Sequence, residues 1–310
     1  MDKDEFGRRL QAHPWFEDLD RWKIAALRPG LTSPHTYRFR LGEQDYFVKE
    51  IKQNEVRILR LLTHLRLDIA PRVMVPELLR RDILVAEYVE GAPIGSKRLP
   101  PDLIERYAAM QNALNDREAL LDNEAFEGCA FTTEDDGFYR RSITRCLDRG
   151  YENLLSLRRH DLAVVEAFIE IADRIRVDRD SIADAFSGMP FAWLHHDFRE
   201  AHIIGSPPML VDWGSSYGHG PFLFDLAPFL FSDGEGLETF IACSEICRRA
   251  SRASIERGLY AAACAAFAGF TLWRLGDFGY VDGGQSREAC RSLLEYEYPA
   301  YAGLLCRGGP

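Results

Sequence analysis

The stretch from Leu194 to Ala227, LHHDFREAHIIGSPPMLVDWGSSYGHGPFLFDLA, constrains this chain more than any other. It sets three aspartates, Asp197, Asp212 and Asp225, among short apolar runs. Two of these runs, Ile203-Ile204 and Met209-Leu210-Val211, are separated by Gly205-Ser206-Pro207-Pro208. Glycine and consecutive prolines between apolar runs are strong turn chemistry, so the spacing predicts a small two-stranded ribbon. Asp197 then precedes the first strand and Asp212 follows the second, which brings two carboxylates fifteen positions apart to one end of the ribbon. Such a pair suits phosphoryl transfer: one carboxylate orients and deprotonates an attacking hydroxyl while the other holds a metal ion against the polyphosphate. A single aspartate after an apolar run is more often a turn or cap residue, so the weight rests on the combination.

Composition excludes several classes. At 310 residues the chain is long enough for about two domains and a sizeable core. Its 46% hydrophobic and 28% charged residues are ordinary for a globular enzyme. A net charge of −10 with a pI near 5.4 argues against a nucleic-acid partner, because phosphate backbones require a basic face. The same acidity fits a cationic substrate and equally an unremarkable cytosolic surface. Seven cysteines without a CxxC pair point to idle thiols in a reducing compartment, hence a cytoplasmic location. The N-terminal MDKDEFGRRL lacks the apolar core of a signal peptide. Gly258 to Trp273 is uncharged, but 16 residues span only about 24 Å as a helix, short of the ~30 Å hydrocarbon core. This segment reads as a buried helix, and no membrane partner is expected. Oligomeric state carries no signal in the sequence.

Taken together, His195-His196-Asp197, a polar residue (His202) five positions later, Val211-Asp212-Trp213-Gly214 and Asp225-Leu226-Ala227 resemble the aminoglycoside phosphotransferase and choline kinase branch of the protein kinase-like superfamily. The resemblance implies an α+β, two-lobe kinase-like fold: a β-rich N-terminal nucleotide lobe over residues 1–90 and a helical lobe over 91–310 carrying the catalytic loop and acceptor pocket. It implies Asp197 as catalytic base, His195 as the brace of its loop, Asp212 as principal magnesium ligand, and Asp225 as the buried tie between that loop and the following helix. Two positions depart from the pattern. His196 replaces the usual small residue, and His202 stands where the family has a metal-binding asparagine. Magnesium prefers hard oxygen donors over imidazole nitrogen, so His202 implies weaker magnesium binding, tolerance of manganese, or a site without turnover.

Earlier in the chain, Gly30 to Leu41 resembles the family's phosphate-covering turn, with Gly30, Thr32 and Ser33 offering amides and hydroxyls to a nucleotide; the same residues also make a plain hairpin. Tyr46 to Lys49 reads as a strand ending on lysine, followed by a helix from about Asn54 to Arg66 with Val56, Leu59 and Leu62 at helical spacing. The resemblance places Lys49 on the α- and β-phosphates with Glu55 as its ion-pair partner. Glu50 is an adjacent carboxylate, and Glu55 also fits a helix N-terminal acid. Glu87 to Gly91 resembles the hinge whose backbone, through Glu87 and Val89, meets the base of ATP or GTP in a cleft between the lobes. Helices are expected over Pro100–Asn115, Gly137–Arg158, Asp161–Arg176, Leu237–Ala250, Ser254–Leu275 and Gln285–Tyr298. Asp233, Glu235 and Glu238 read as a solvated loop and helix start, or as a face toward a cationic acceptor.

The function implied is transfer of the γ-phosphoryl of ATP or GTP, with magnesium or manganese, to a hydroxyl of a small molecule. A nucleotide-binding pseudokinase is the alternative, motivated by His202. A protein kinase fits least, since the glycine-rich loop, the arginine of His-Arg-Asp and an Ala-Pro-Glu motif are missing from the sequence.

Overall fold

The computed structural model describes residues 8–17, 23–27, 36–51, 53–115, 136–158, 163–215, 218–272 and 287–306. The expected phosphate-covering turn with Gly30, Thr32 and Ser33 lies outside the described residues. The chain divides into two compact units: Met1–Ile94 with Glu118–Cys129 and Arg199–Ser216, and Gly95–Arg117 with Ala130–Phe198 and Tyr217–Pro310.

The first unit is built on an antiparallel sheet of strands β1 (Lys23–Ala26), β2 (Thr36–Leu41), β3 (Gln44–Glu50) and β4 (Ile83–Glu87), in that spatial order. Period-two alternation sends Tyr37 and Phe39 of β2 and Tyr46 and Val48 of β3 into one core, which Leu10, Phe16, Leu78, Ile83 and Val85 complete. The register sets Lys49 opposite Thr36 on one side and Leu84 on the other. Helix α1 (Gln53–His64) follows, and its buried face carries Val56, Leu59 and Leu62 together with Ile58 and Leu61. The predicted ribbon forms as Ile203–Ile204 against Met209–Leu210. It belongs to this unit: Leu210 N donates to Ile69 O at 2.8 Å, and Ile94 N donates to Ile203 O at 3.0 Å.

The ribbon turn requires glycine at one position. Gly205 has φ +87°, and a Cβ there would lie 2.3 Å from Val89 Cγ1. Gly205→Ala is therefore expected to destabilise the protein by about 1–3 kcal/mol, through overpacking and backbone strain together. A lowered urea midpoint with unchanged slope would register it; an unchanged midpoint would contradict it.

The second unit is helical. Helix α2 (Pro101–Asn115) opens it, and further helices span Asp136–Arg158, Ala163–Val177, Arg179–Ser187, Gly234–Cys243, Glu245–Arg248, Arg252–Ala266 and Arg287–Tyr301. Three features differ from the periodicity reading. The helix expected over Leu237–Ala250 breaks at Ser244, whose extended backbone lets its hydroxyl accept from Cys247 N at 3.3 Å and cap the next helix. The helix expected over Ser254–Leu275 winds into a π-helical segment at Phe267–Leu272. A short strand, Phe191–Leu194, pairs antiparallel with Gly218–Pro221 and was not expected, because a strand covered on both faces shows no alternation. The alanine-rich segment is buried from Gly258 to Ala268, and among the described residues no helix is long and apolar enough to cross a membrane.

Candidate active site

In the first unit, Lys49 ends the buried run of β3 and Glu55 sits in the opening turn of α1, so a strand and the helix that follows it point opposite charges at each other. Lys49 Nζ lies 2.6 Å from Glu55 Oε1 and 3.5 Å from Asp212 Oδ1. The side chains of Lys49 and Glu55 are 7% and 4% exposed, whereas Asp212 is 47% exposed. The lysine is thus anchored from behind by a buried carboxylate and shares its ammonium with one that remains open to solvent and ligand. Asp212 follows the ribbon in the left-handed region (φ +61°), a conformation that aspartate tolerates better than most residues. Trp213 beside it is buried and donates its indole N–H to Leu210 O at 2.9 Å, which pins the turn.

His202 is brought to the same carboxylate. Its Nε2 lies 3.5 Å from Asp212 Oδ2 and 3.1 Å from Arg199 Nη2, and its carbonyl accepts from Val211 N at 2.8 Å. Arg199 was not singled out in the sequence; a charged residue in a loop gives no hint of its partner. Glu87 closes β4, with its N–H donated to Arg72 O at 3.0 Å and its carboxylate accepting from Arg72 N at 3.1 Å. Val89 is half-buried against Gly205.

In the second unit, Asp225 is fully buried and accepts three hydrogen bonds: from Tyr107 Oη at 2.5 Å, His195 N at 2.5 Å and His196 N at 3.0 Å. His195 Nδ1 in turn accepts from Asp197 N at 3.3 Å, so the backbone on both sides of Asp197 is tied down. His196 takes φ +65°, the left-handed region that favours glycine. Burial holds the His196 imidazole down to about 4, with the nearby His219 acting in the same direction. Tyr107 packs edge-on against Phe198, centroids 5.1 Å apart. Its position on the inner face of α2 announced burial in the sequence but not the Asp225 contact. The acidic cluster after Phe231 is engaged: Asp233 caps Gly234–Cys243 by accepting from Gly236 N at 3.1 Å, Arg98 pairs with Asp233 and Glu235, and Arg252 pairs with Glu238 at 2.5 Å.

Burial pushes the Asp225 carboxyl up to about 6, against the opposing effect of its three donors. The folded protein therefore binds this proton more tightly than the unfolded chain, whose aspartate titrates near 3.9. The cost of burying the charge is present in full above about pH 6 and is relieved as pH falls toward 4, so this group makes the protein more stable on mild acidification. Asp225→Asn should flatten the pH dependence of unfolding between pH 4 and 6 by roughly 2–3 kcal/mol. Superimposable profiles for the two proteins would refute the assignment.

The model of the phosphotransferase enzyme family matches residues 23–253. The chain belongs to this family. Among solved structures, a choline kinase from Streptococcus pneumoniae is similar over 98% of this chain and 100% of its own, at 17% identity and a TM-score of 0.53. A Plasmodium vivax ethanolamine kinase matches over 97% and 88%, at 12% identity and 0.54. A spectinomycin phosphotransferase in complex with ADP and spectinomycin matches over 97% and 98%, at 10% identity and 0.58. No curated protein sequence matches this chain. At these identities the solved structures establish the fold, which is α+β and protein kinase-like with a small antiparallel sheet and a helical remainder.

Proposed function

We propose that this member of the family transfers the γ-phosphoryl group of ATP or GTP to a hydroxyl of a small molecule in the cytoplasm. The observation that carries the reading is the Lys49 ammonium held 2.6 Å from buried Glu55 and 3.5 Å from exposed Asp212. A positive charge fixed from behind and open in front suits phosphate oxygens, and catalysis of phosphoryl transfer is largely positioning and electrostatics. In this reading residues 1–90 bind nucleotide and residues 91–310 supply the acceptor pocket. Glu87 and Val89 meet the base, and Gly30, Thr32 and Ser33 cover the phosphates. Asp197 accepts the hydroxyl proton, with His195 holding its loop. The acceptors of similar structures, choline, ethanolamine and spectinomycin, favour a hydroxyl compound that also carries an amine or ammonium group.

The Asp212 carboxylate, exposed and oxygen-donating, fits magnesium; the His202 imidazole does not. Asp212 would hold magnesium there, and the ion would supply positive charge to offset the charge that develops on the phosphates. The contact of His202 with Asp212 also supports the second reading, a nucleotide-binding protein without turnover. Nucleotide consumption across a panel of amino-alcohols, amino sugars and sugars, with magnesium and with manganese, separates the two. Acceptor-dependent ADP or GDP release supports the transferase; bound nucleotide with no release in either metal supports the second reading.

A further inference from the structure

Tyr107 sits in the middle of α2, on the face that buries Leu103, Ile104, Ala108, Met110 and Leu114, and it is itself 0% exposed. Phenylalanine would fill that place equally well, so the hydroxyl needs its own account: a buried phenol has lost its water and requires an acceptor from the protein. It donates to Asp225 Oδ2 at 2.5 Å, and the same carboxylate accepts from His195 N at 2.5 Å and His196 N at 3.0 Å. Among the described residues Tyr107 is the one side chain that donates to Asp225; the other donors are backbone amides of the loop that carries Asp197. One turn on, Gln111 Nε2 donates to Trp193 O at 3.3 Å and Phe222 O at 3.0 Å, so the same helical face also holds the chain entering the loop and the chain leading to Asp225. Phe198, which follows Asp197, is 1% exposed and packs edge-on against Tyr107 at 5.1 Å and against Phe229 at 5.3 Å between centroids. The Tyr107 ring therefore holds the residue after Asp197, and its hydroxyl, through Asp225, holds the two residues before it.

An ionised carboxylate only accepts, whereas a protonated one carries an O–H that donates. A proton on either oxygen of Asp225 thus competes with at least one of the three donors, and the loop loses an anchor. The groups that face this carboxylate are the Tyr107 hydroxyl from α2, the amides of His195 and His196, and the Asp197 carboxylate, which opposes its charge. Burial lifts the Asp225 carboxyl to about 6, and the Tyr107 hydrogen bond acts in the other direction. Burial and the charge beside it push the phenol itself well above its ordinary range, so it remains a donor. The hydroxyl helps to keep Asp225 in the form that anchors the loop.

We propose that Tyr107 is a positioning residue for Asp197: its hydroxyl fixes the His195–His196 backbone through Asp225, and its ring fixes Phe198. The use of that position in turnover rests on the transferase reading, in which Asp197 accepts the hydroxyl proton; the position itself is measured without turnover. Three full-length proteins are compared by amide hydrogen exchange and by acceptor-dependent kinetics across the acid and neutral range: wild type, Tyr107→Phe, and as a control Tyr260→Phe, which removes a hydroxyl that meets Cys264 elsewhere in the helical unit. In Tyr107→Phe the ring stays, and exchange of the His195 and His196 amides should quicken roughly 10-fold. Its kcat should fall roughly 10- to 100-fold with the nucleotide KM nearly unchanged. The acid limb of kcat, set by Asp225 at about 6 in wild type, should move up by about 1–2 pH units. Tyr260→Phe should change none of these. Unchanged exchange at His195 and His196 in Tyr107→Phe, an acid limb that stays in place, or equal effects from Tyr260→Phe overturns the proposal. If Tyr107→Phe fails to fold, wild type alone decides: protection of the two amides should fall as pH drops through about 6, and protection independent of pH refutes the tie. Failure of the transferase reading looks different: wild type consumes no nucleotide with any acceptor while the exchange difference persists, so the tie stands and only its use in turnover falls.

Discussion

Asp197→Ala is expected to lower kcat by about 10²–10⁴, the usual contribution of a positioned general base, while nucleotide affinity changes little. The reason lies in what holds Asp197. Its own N–H is donated to His195 Nδ1, and the two preceding amides, His195 N and His196 N, are anchored on buried Asp225. The side chain therefore sits on a loop whose backbone hydrogen bonds are made by other residues, and truncation to alanine removes the carboxylate without removing the scaffold. Steady-state kinetics with a competent acceptor, together with a fluorescent-nucleotide Kd, make the comparison. Comparable losses in kcat and nucleotide affinity would contradict the assigned role, because they would mean that Asp197 contributes to nucleotide binding itself.

Lys49→Met is expected to damage both stability and nucleotide binding. The substitution keeps most of the apolar stem but leaves the Glu55 carboxylate, 4% exposed, without its ammonium partner. Breaking one side of a buried ion pair costs about 3–5 kcal/mol, because the remaining charge is neither solvated nor compensated. The exposed Asp212 loses a neighbour at 3.5 Å but keeps its water, so it adds little to this figure. Replacing both partners, Lys49→Met with Glu55→Leu, should recover much of the stability and none of the nucleotide affinity. Denaturant unfolding of the single and double variants, with nucleotide titrations on each, tests this. A double variant as unstable as the single one would show that the pair is not what holds this corner of the unit.

The parts of the architecture legible in the sequence were those governed by neighbours in the chain. Gly205-Ser206-Pro207-Pro208 between two apolar pairs can do little other than turn, and the ribbon formed with Ile203 opposite Leu210. Helix α1 was announced by Val56, Leu59 and Leu62, and α2 starts one residue from where its periodicity placed it. Local pattern failed where tertiary packing overrode it. Ser244 interrupts a continuous helical pattern because its hydroxyl caps the next helix, and Phe191–Leu194 is a strand only because Gly218–Pro221 lies alongside.

The site divided in the same way. Three aspartates, a tryptophan and a strand carrying a lysine near its end were readable in the sequence, and the resemblance they carry pointed to the family and its fold. The partner of Lys49 came from the resemblance, which named Glu55 although Glu50 adjoins the lysine in sequence; the fold pairs Lys49 with Glu55, because alternation along β3 turns Glu50 away while the first turn of α1 brings Glu55 back. The pairing of Tyr107 with Asp225, 118 positions apart, and of Lys49 with Asp212, 163 apart, was beyond any local signal. Sequence by itself determined the chemical inventory, because residue types and short-range turn and helix preferences are properties of the chain. Only the tertiary structure decided which charges meet, and in particular that His202 faces Asp212, because long-range contacts are chosen by how apolar faces bury one another.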